Sequence, residues 1–410
     1  MRSLSIFQPL CCAFLSALLG GTHVTPTVLL THSSSVRSTA PTCQNRSHHS
    51  PEFLVVGGGS NPYSNEIALE KNVLYFQRTL ETLGYSRSRT TSFFANGDDG
   101  QATIRYLDET GNYQLKAPEI PDLAGASTLD NLSEWFSQYS SQDGDRSFFF
   151  YFTGHGLPQT FLLWGQDELS VGQFVEFLDR LPPETTIVTM MAQCYSGSFA
   201  DAIYEGGDRA RPVALQTRCG FFATVGTRPS VGCTPEVNEA DYKDYSSSFF
   251  AGLSGIDRTG NPVASADYNG DGRVSYAEAH AFAKVDEETM DWPVSTSEVW
   301  LQERASQADK DGFLNQAIAS FLPKARPEQR YVVRELSAKF NLDLNRSYLD
   351  NLDQLDPAEI NSDVQEAYLM RLGMELINIG MADRIRHSND AESIRIFNQL
   401  IECESSFLKS

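Results

Sequence analysis

Two apolar segments of this chain each end at a residue that could take part in catalysis. Residues 147–156 read SFFFYFTGHG, and residues 185–198 read TTIVTMMAQCYSGS. In both, apolar and β-branched residues give way abruptly to small or polar ones, as in a buried strand that reaches a loop. His155 follows the first run and Cys194 the second. If the strands are neighbours in a parallel sheet, both side chains lie at its carboxyl edge, where open α/β sheets keep their sites.

A thiol and an imidazole at one sheet edge predict an activated nucleophile. Cys194 needs a nearby base to become a thiolate, and His155 can serve as that base and later protonate a leaving amine. Gly156 permits a sharp turn, so its backbone N–H and that of Cys194 could stabilise an oxyanion. Either residue alone would more often be structural. It is the pair that predicts catalysis.

From residue 53 onwards, predicted strands alternate with predicted helices, which favours a mainly parallel sheet covered by helices on both faces. A strand at 53–56 runs into three glycines, and a helix fits 65–83. The glycine-rich stretch 90–120 is predicted to form hairpins or a long loop. The remaining helices are predicted at 129–139, 171–181, from about 196, and at 246–253, with strands at 161–164 and 221–225.

The chain resembles the caspase-fold cysteine peptidases, and the legumain family most closely. The resemblance lies in GGGSNPYSNE at 57–66, FTGHG at 152–156 and AQCYSGS at 192–198, and it covers about residues 53–253. It implies a caspase-like fold and cleavage of peptide bonds through a thioester on Cys194. It further implies that His155 carries the proton and that Gly156 and Cys194 supply the oxyanion N–H groups.

Two departures from that family leave the cleavage specificity open. Ala192 stands where an acidic or polar pocket residue is usual, and the arginine expected after the first turn is absent. Asparagine specificity is therefore not implied. The loop 227–236 is predicted to wall the pocket. Arg228, in this loop, would favour an acidic substrate residue. Glu66, which follows the first strand, would favour a basic one.

Residues 267–278, DYNGDGRVSYAE, match the twelve-residue calcium loop of EF-hands. Gly272 supplies the sharp turn, and a helix is predicted at 276–285. The segment before the loop is a poor helix, which indicates a single loop rather than a paired module. The alternative interpretation of residues 267–278 is an acidic turn that binds no metal. The superficially similar segment ADKDG at 308–312 is predicted to be a surface turn. The predicted Ca²⁺ ligands are Asp267, Asn269, Asp271, Arg273 through its carbonyl, Ser275 through a water, and Glu278.

The 410 residues divide into three predicted parts. Residues 1–50 form a flexible leader whose apolar stretch at 10–19 loosely fits a secretory signal, so export is expected. Residues 51–295 form the peptidase domain, including the calcium loop. Residues 296–410 show helical spacing and form an all-α domain. That domain either packs on the sheet or covers the catalytic edge as an inhibitory prodomain.

The cysteine pattern is consistent with export. Loss of a signal would leave Cys194 and four further cysteines, at 43, 219, 233 and 403, which allow three pairings. A Cys219–Cys233 bridge, which would clamp one short loop, is the favoured pairing. Unpaired thiols in a reducing compartment are the alternative.

The formal net charge of −21 argues against binding to nucleic acids or anionic membranes, and no apolar run is long enough to span a bilayer. The sequence therefore predicts an exported, calcium-binding cysteine endopeptidase that acts on proteins or peptides. A transpeptidase or ligase with the same dyad is one alternative. The other is a non-catalytic, calcium-dependent binding module. The oligomeric state is left open.

Overall fold

A seven-stranded, mainly parallel sheet lies at the centre of the protein in the computed structural model, which describes residues 51–140, 147–356, 360 and 362–408. The predicted leader, with its signal and Cys43, lies outside the described residues. Among those described, no helix is long and apolar enough to cross a membrane.

The strands are numbered in chain order. They are β1 (Glu52–Gly58), β2 (Thr90–Phe94), β3 (Ile104–Leu107), β4 (Tyr113–Lys116), β5 (Leu123–Gly125), β6 (Ser147–Gly154), β7 (Gly156–Leu157), β8 (Thr160–Leu162), β9 (Glu168–Ser170), β10 (Thr186–Met191), β11 (Arg218–Phe222) and β12 (Val294–Ser295). The central sheet has the order β12-β11-β10-β6-β1-β2-β5, and within it only β12 runs antiparallel to its neighbour. Strands β3 and β4 form a hairpin, and β7, β8 and β9 form a small antiparallel sheet.

The helices are also numbered in chain order. They are α1 (Ile67–Thr82), α2 (Leu129–Ser140), α3 (Val171–Leu178), α4 (Tyr245–Ser254), α5 (Tyr276–Asp286), α6 (Thr296–Arg304), α7 (Gln307–Leu314), α8 (Pro327–Lys339), α9 (Tyr348–Leu352), α10 (Asp363–Arg386) and α11 (Ala391–Glu404). Short 3₁₀ helices occur at Pro62–Ser64, Arg87–Arg89, Trp164–Gln166, Ser196–Ile203, Glu205–Gly207, Glu239–Asp241 and Ile318–Ser320.

Helices cover both faces of the sheet, and the side chains of β6 show why. Phe149 and Tyr151 pack with α1, α4 and α5 on one face. Phe148, Phe150 and Phe152 pack with α2 and α3 on the other. A strand buried on both faces has a continuous apolar sequence rather than an alternating one. The predicted α/β architecture, with a helical C-terminal region, is confirmed.

The helix predicted from about residue 196 is present as a 3₁₀ helix over residues 196–203. Two local predictions were wrong. Residues 90–94 form β2, a strand of the central sheet, because Phe93 and Phe94 are buried on opposite faces of it. Residues 308–312 lie inside α7, whose capping box of Ser306 and Asp309 starts a helix where a turn was predicted.

The disulfide joins Cys219 to Cys403, so the favoured Cys219–Cys233 pairing is wrong. Cys219 is near the start of β11, where the end of α11 packs. Cys233 is at the opposite end of the strands, with its Sγ 3.8 Å from the carbonyl oxygen of Gly154. A short sequence separation does not bring two cysteines together when a strand runs between them.

Buried charges join the helical region to the sheet domain. Lys284 of α5 pairs with Glu298 of α6 and, at 2.7 Å, with Glu375 of α10. Glu404 of α11 accepts hydrogen bonds of 2.6 Å from the backbone N–H and the hydroxyl of Ser297. Burial raises the pKa of Glu404 to about 7, although Ser297 and the charge of Arg326 act in the opposite direction.

This raised pKa predicts a loss of stability with rising pH. The folded pKa of Glu404 lies above its unfolded value of 4.5, so the unfolded chain gives up its proton first as pH rises. Stability is therefore lost between about pH 4.5 and 7 and stays lost above that range. This group alone should cost about 2 kcal/mol of unfolding free energy between pH 5 and pH 8.

Glu404→Gln should remove that part of the pH dependence, and denaturant unfolding at the two pH values measures it. Glu402→Gln, an exposed position on the same helix, is the matched control and should leave the pH dependence as in the parent protein. An unchanged pH dependence in Glu404→Gln would contradict the prediction.

Candidate active site

The register between β6 and β10 places His155 and Cys194 at one edge of the sheet. The two strands are parallel, and Phe152 pairs with Met191. His155 and Cys194 each follow three residues after that pair. Both residues are partly exposed, and His155 contributes to the electrostatic environment of the Cys194 thiol. The carboxyl ends of β6 and β10 therefore lie side by side, as predicted.

His155 is oriented by two acceptors that precede α1. Its Nε2 lies 2.9 Å from the carbonyl oxygen of Ser64 and 3.0 Å from Oε2 of Glu66. Glu66 occupies the N-cap position of α1, yet its side chain makes no capping bond and faces His155 instead. Its other oxygen, Oε1, accepts a 2.5 Å hydrogen bond from Arg105. Acceptors on one nitrogen fix the orientation of the ring, as the third member of a catalytic triad does.

Cys194 lies against the backbone of the loop that follows β11. Its Sγ is 3.3 Å from the amide nitrogen of Ser230, which donates to it, and 3.4 Å from the carbonyl oxygen of the same residue. Ser230 is held in turn by buried Asp291, which accepts from the Ser230 hydroxyl at 2.5 Å and from the amide of Val231 at 3.3 Å. The loop therefore forms one wall of the site, as the sequence predicts.

A second thiol lies beside the imidazole. Cys233 is exposed and unpaired, and its Sγ, a ring nitrogen of His155 and a carboxylate oxygen of Glu66 all lie within 4.8 Å of one another. Cys233 was expected in a disulfide and was therefore not predicted to belong to the site. The signal that could have found it is its position in the loop predicted to wall the pocket.

The ionisation of both catalytic candidates is perturbed. Burial alone would lower the pKa of His155, but hydrogen bonds to Cys233 and Glu66 outweigh burial and raise the pKa to about 11. Burial raises the pKa of the Cys194 thiol, and the hydrogen bond from Ser230 and the charge of His155 offset only part of this. In this arrangement the imidazolium keeps its proton, and so does the thiol of Cys194.

Gly156 touches the turn that carries Cys194. A Cβ atom on Gly156 would lie 2.5 Å from the carbonyl oxygen of Cys194 and 2.5 Å from Cγ of Gln193. No side chain fits there, so glycine is what lets the two loops meet. The assignment of Gly156 and Cys194 N–H groups to an oxyanion hole stays a prediction.

The two residues considered for specificity are already engaged. Both carboxylate oxygens of Glu66 have partners in the protein, namely Arg105 and His155. The guanidinium of Arg228 lies 4.0 Å from the centroid of the Trp292 ring. Glu66 thus orients the histidine, a role that its place in the sequence did not indicate.

The predicted calcium ligands lie together in a loop that leads directly into α5. Gly272 has a φ of 84°, as the sharp turn requires. Oε1 of the buried Glu278 accepts from the amides of Tyr268 and Asn269, at 3.0 and 3.1 Å, which brings the end of the loop back to its start. The segment before the loop is not helical, as predicted.

No family model and no curated protein sequence matches this chain. A solved structure of caspase-1 from Spodoptera frugiperda is similar in structure, with 12% sequence identity and a TM-score of 0.31. The match covers 53% of this chain and 73% of that one.

Glu66→Gln should lower kcat for the peptide hydrolysis that the sequence predicts about tenfold and leave KM nearly unchanged, because the charge that orients and stabilises the imidazolium is lost while Ser64 still holds the ring. Steady-state kinetics on a peptide substrate measure this split. Glu70→Gln is the matched control, since Glu70 is a buried acid on the same helix that pairs with Lys116 at 2.8 Å. Equal kinetic losses in both variants would contradict a specific role for Glu66.

Proposed function

We propose that this protein is a cysteine endopeptidase that hydrolyses peptide bonds in proteins or peptides. The observation that carries the proposal is the β6–β10 register, which brings a thiol and an oriented imidazole to one solvent-accessible edge. The resemblance of the two segments to caspase-fold peptidases, and to legumains in particular, points to the same reaction.

The reaction begins with the loss of a proton from His155. At rest the imidazolium is associated with Cys233 and Glu66, and the Cys194 thiol is protonated. When the imidazolium releases its proton to solvent, the neutral ring can accept the proton of Cys194. The thiolate then attacks the scissile carbonyl, and the thioester forms as His155 protonates the leaving amine. Water activated by His155 hydrolyses the thioester.

Glu66 and Ser64 orient the ring through both steps. Because these two acceptors contact Nε2, the other ring nitrogen, Nδ1, is the one proposed to exchange a proton with the Cys194 thiol and with the leaving amine. The N–H groups of Gly156 and Cys194 are proposed to stabilise the oxyanion.

We propose further that residues 267–278 bind Ca²⁺. The donors are of the hard oxygen type that this ion prefers, with three carboxylates and one amide in a single loop. Asp267, Asn269, Asp271 and Glu278 would hold the ion, with the carbonyl of Arg273 and a water on Ser275. Bound calcium would connect the two ends of the loop that leads into α5, and α5 packs against the sheet.

Export of the protein is also proposed. The buried Cys219–Cys403 disulfide supports this, because such bonds form and persist in oxidising compartments. A calcium-rich exterior would suit a single loop of modest affinity.

Cys194→Ala should lower peptide hydrolysis at least about 1,000-fold, since no thioester can form. Cys194→Ser keeps the size of the side chain and should be equally inactive, which separates lost chemistry from altered packing. Rates on a peptide library and the thermal midpoint of each variant are measured together. Hydrolysis retained in either variant with an unchanged midpoint would refute the proposal.

Glu278→Gln should weaken calcium binding about 10- to 100-fold, because a two-oxygen anionic ligand becomes neutral. Gln at this position keeps the capping box with Ser275, so α5 should persist. Calorimetric titration measures the affinity, and calcium should raise the thermal midpoint of the parent protein only. Asp257→Asn, in an exposed turn of similar hydrogen bonding, is the control. Equal affinities in all three proteins would exclude this loop as the site.

A further inference from the structure

Three side chains beside the nucleophile have the chemistry of zinc ligands. Cys233, His155 and Glu66 offer a sulfur, a ring nitrogen and a carboxylate oxygen that all lie within 4.8 Å of one another. Thiolate and imidazole are the donors that favour Zn²⁺ over Ca²⁺ or Mg²⁺. The Cys233 thiol is not needed for the proposed thioester chemistry, so its place in the site calls for a separate explanation.

We infer that Cys233, His155 and Glu66 form a Zn²⁺ site, and that an ion bound there switches the peptidase off by occupying the imidazole. Three protein ligands and one open position are a common zinc arrangement. Zinc binding itself is independent of the proposed function, whereas the inhibition rests on it.

The three ligand atoms need to move only slightly to bind a zinc ion together. Zinc bonds of about 2.0 to 2.3 Å place tetrahedral ligand atoms roughly 3.3 to 3.8 Å apart. The three atoms therefore have to shift by about 1 Å to reach bonding positions. Cys233 is exposed and the His155 side chain is 27% exposed, so an ion can enter from solvent.

Cys233 is held in place from both sides. On one side, Ser230 bonds to Cys194 and Val231 to Asp291. On the other, the carbonyl oxygens of Thr234 and Pro235 accept hydrogen bonds from the amides of Ala68 and Leu107, at 3.3 and 2.8 Å. A ligand between two such anchors loses little freedom when it binds an ion.

The charges around the cluster also permit a cation. The positive charge of Arg105 opposes the binding of a cation. However, Arg105 contacts only Oε1 of Glu66, and Oε2 faces His155. Binding of Zn²⁺ would release the protons of the thiol and of the imidazolium, and the thiolate would offset the charge of Arg105. A ring nitrogen bound to zinc cannot accept the proton of Cys194.

Binding is tested directly with Zn²⁺ and Co²⁺ on the full chain, with millimolar Ca²⁺ present to occupy the calcium loop. Zn²⁺ affinity is measured by competition with a chromogenic chelator, and Co²⁺ is used because a thiolate ligand gives it a near-ultraviolet charge-transfer band. We expect one ion per chain, and a thiolate band that persists in Cys194→Ala and disappears in Cys233→Ser. Glu66→Gln should weaken Zn²⁺ binding at least tenfold, whereas the control His387→Asn, at an exposed histidine, should not.

A thiolate band that survives in Cys233→Ser, or is lost in Cys194→Ala alone, would overturn the assignment of the thiol ligand. Absence of binding in the parent protein would overturn the site. These results hold whether or not the protein is a peptidase, since Cys194→Ala is examined without any activity measurement.

Inhibition is tested separately. The ratio of the hydrolysis rate with Zn²⁺ to that with a chelator is taken within each variant, so that its own basal rate cancels. We expect at least tenfold inhibition of the parent protein at zinc saturation, and at least tenfold less zinc sensitivity in Cys233→Ser. Equal sensitivity of the two proteins, or loss of hydrolysis with the chelator, would overturn the inhibitory role.

Discussion

The parallel pairing of β6 with β10 is the constraint on which the candidate site depends. The pairs run from Ser147 with Thr186 to Phe152 with Met191, and side chains of β6 are buried in the helical layers on both faces. A slip of one residue would exchange the faces of every side chain, so packing on both sides fixes the register. Once that register is fixed, the loops that carry His155 and Cys194 begin side by side.

The helical region supports the site from behind. Arg371 of α10 is fully buried and donates to four backbone carbonyls, among them those of Glu287 and Asp291. Asp291 holds Ser230, and the amide of Ser230 contacts the thiol of Cys194. A buried guanidinium with this many partners is costly to displace, because its charge cannot return to water without unfolding its surroundings. The described part of the C-terminal region thus takes part in positioning Cys194, while α11 packs near the opposite, amino ends of β10 and β11.

Most of the fold could be predicted because its central strands are apolar runs and its helices have clear stripes. The errors over β2 and the disulfide arose where the deciding contacts are distant in sequence, whereas the turn predicted at 308–312 overlooked a local capping box. Strand β2 follows a polar, glycine-containing region and becomes a core strand only by pairing with β1 and β5. The Cys219–Cys403 bridge spans 184 residues, a pairing for which the sequence contains no spacing signal. The sequence likewise contains no sign that Glu66 would turn from its helix end towards His155.

By itself, the sequence determined the α/β architecture, the two strand ends that carry His155 and Cys194, and the calcium-loop pattern at 267–278. These features follow from local periodicity and from residue types at fixed spacing, and both can be recognised within short stretches of the sequence. Only the tertiary structure decided what surrounds the histidine: Glu66 from the start of α1 and Cys233 from the loop after β11. Those contacts join segments 89 and 78 residues away from His155. They depend on how the sheet brings its strand ends together, and no local pattern encodes that.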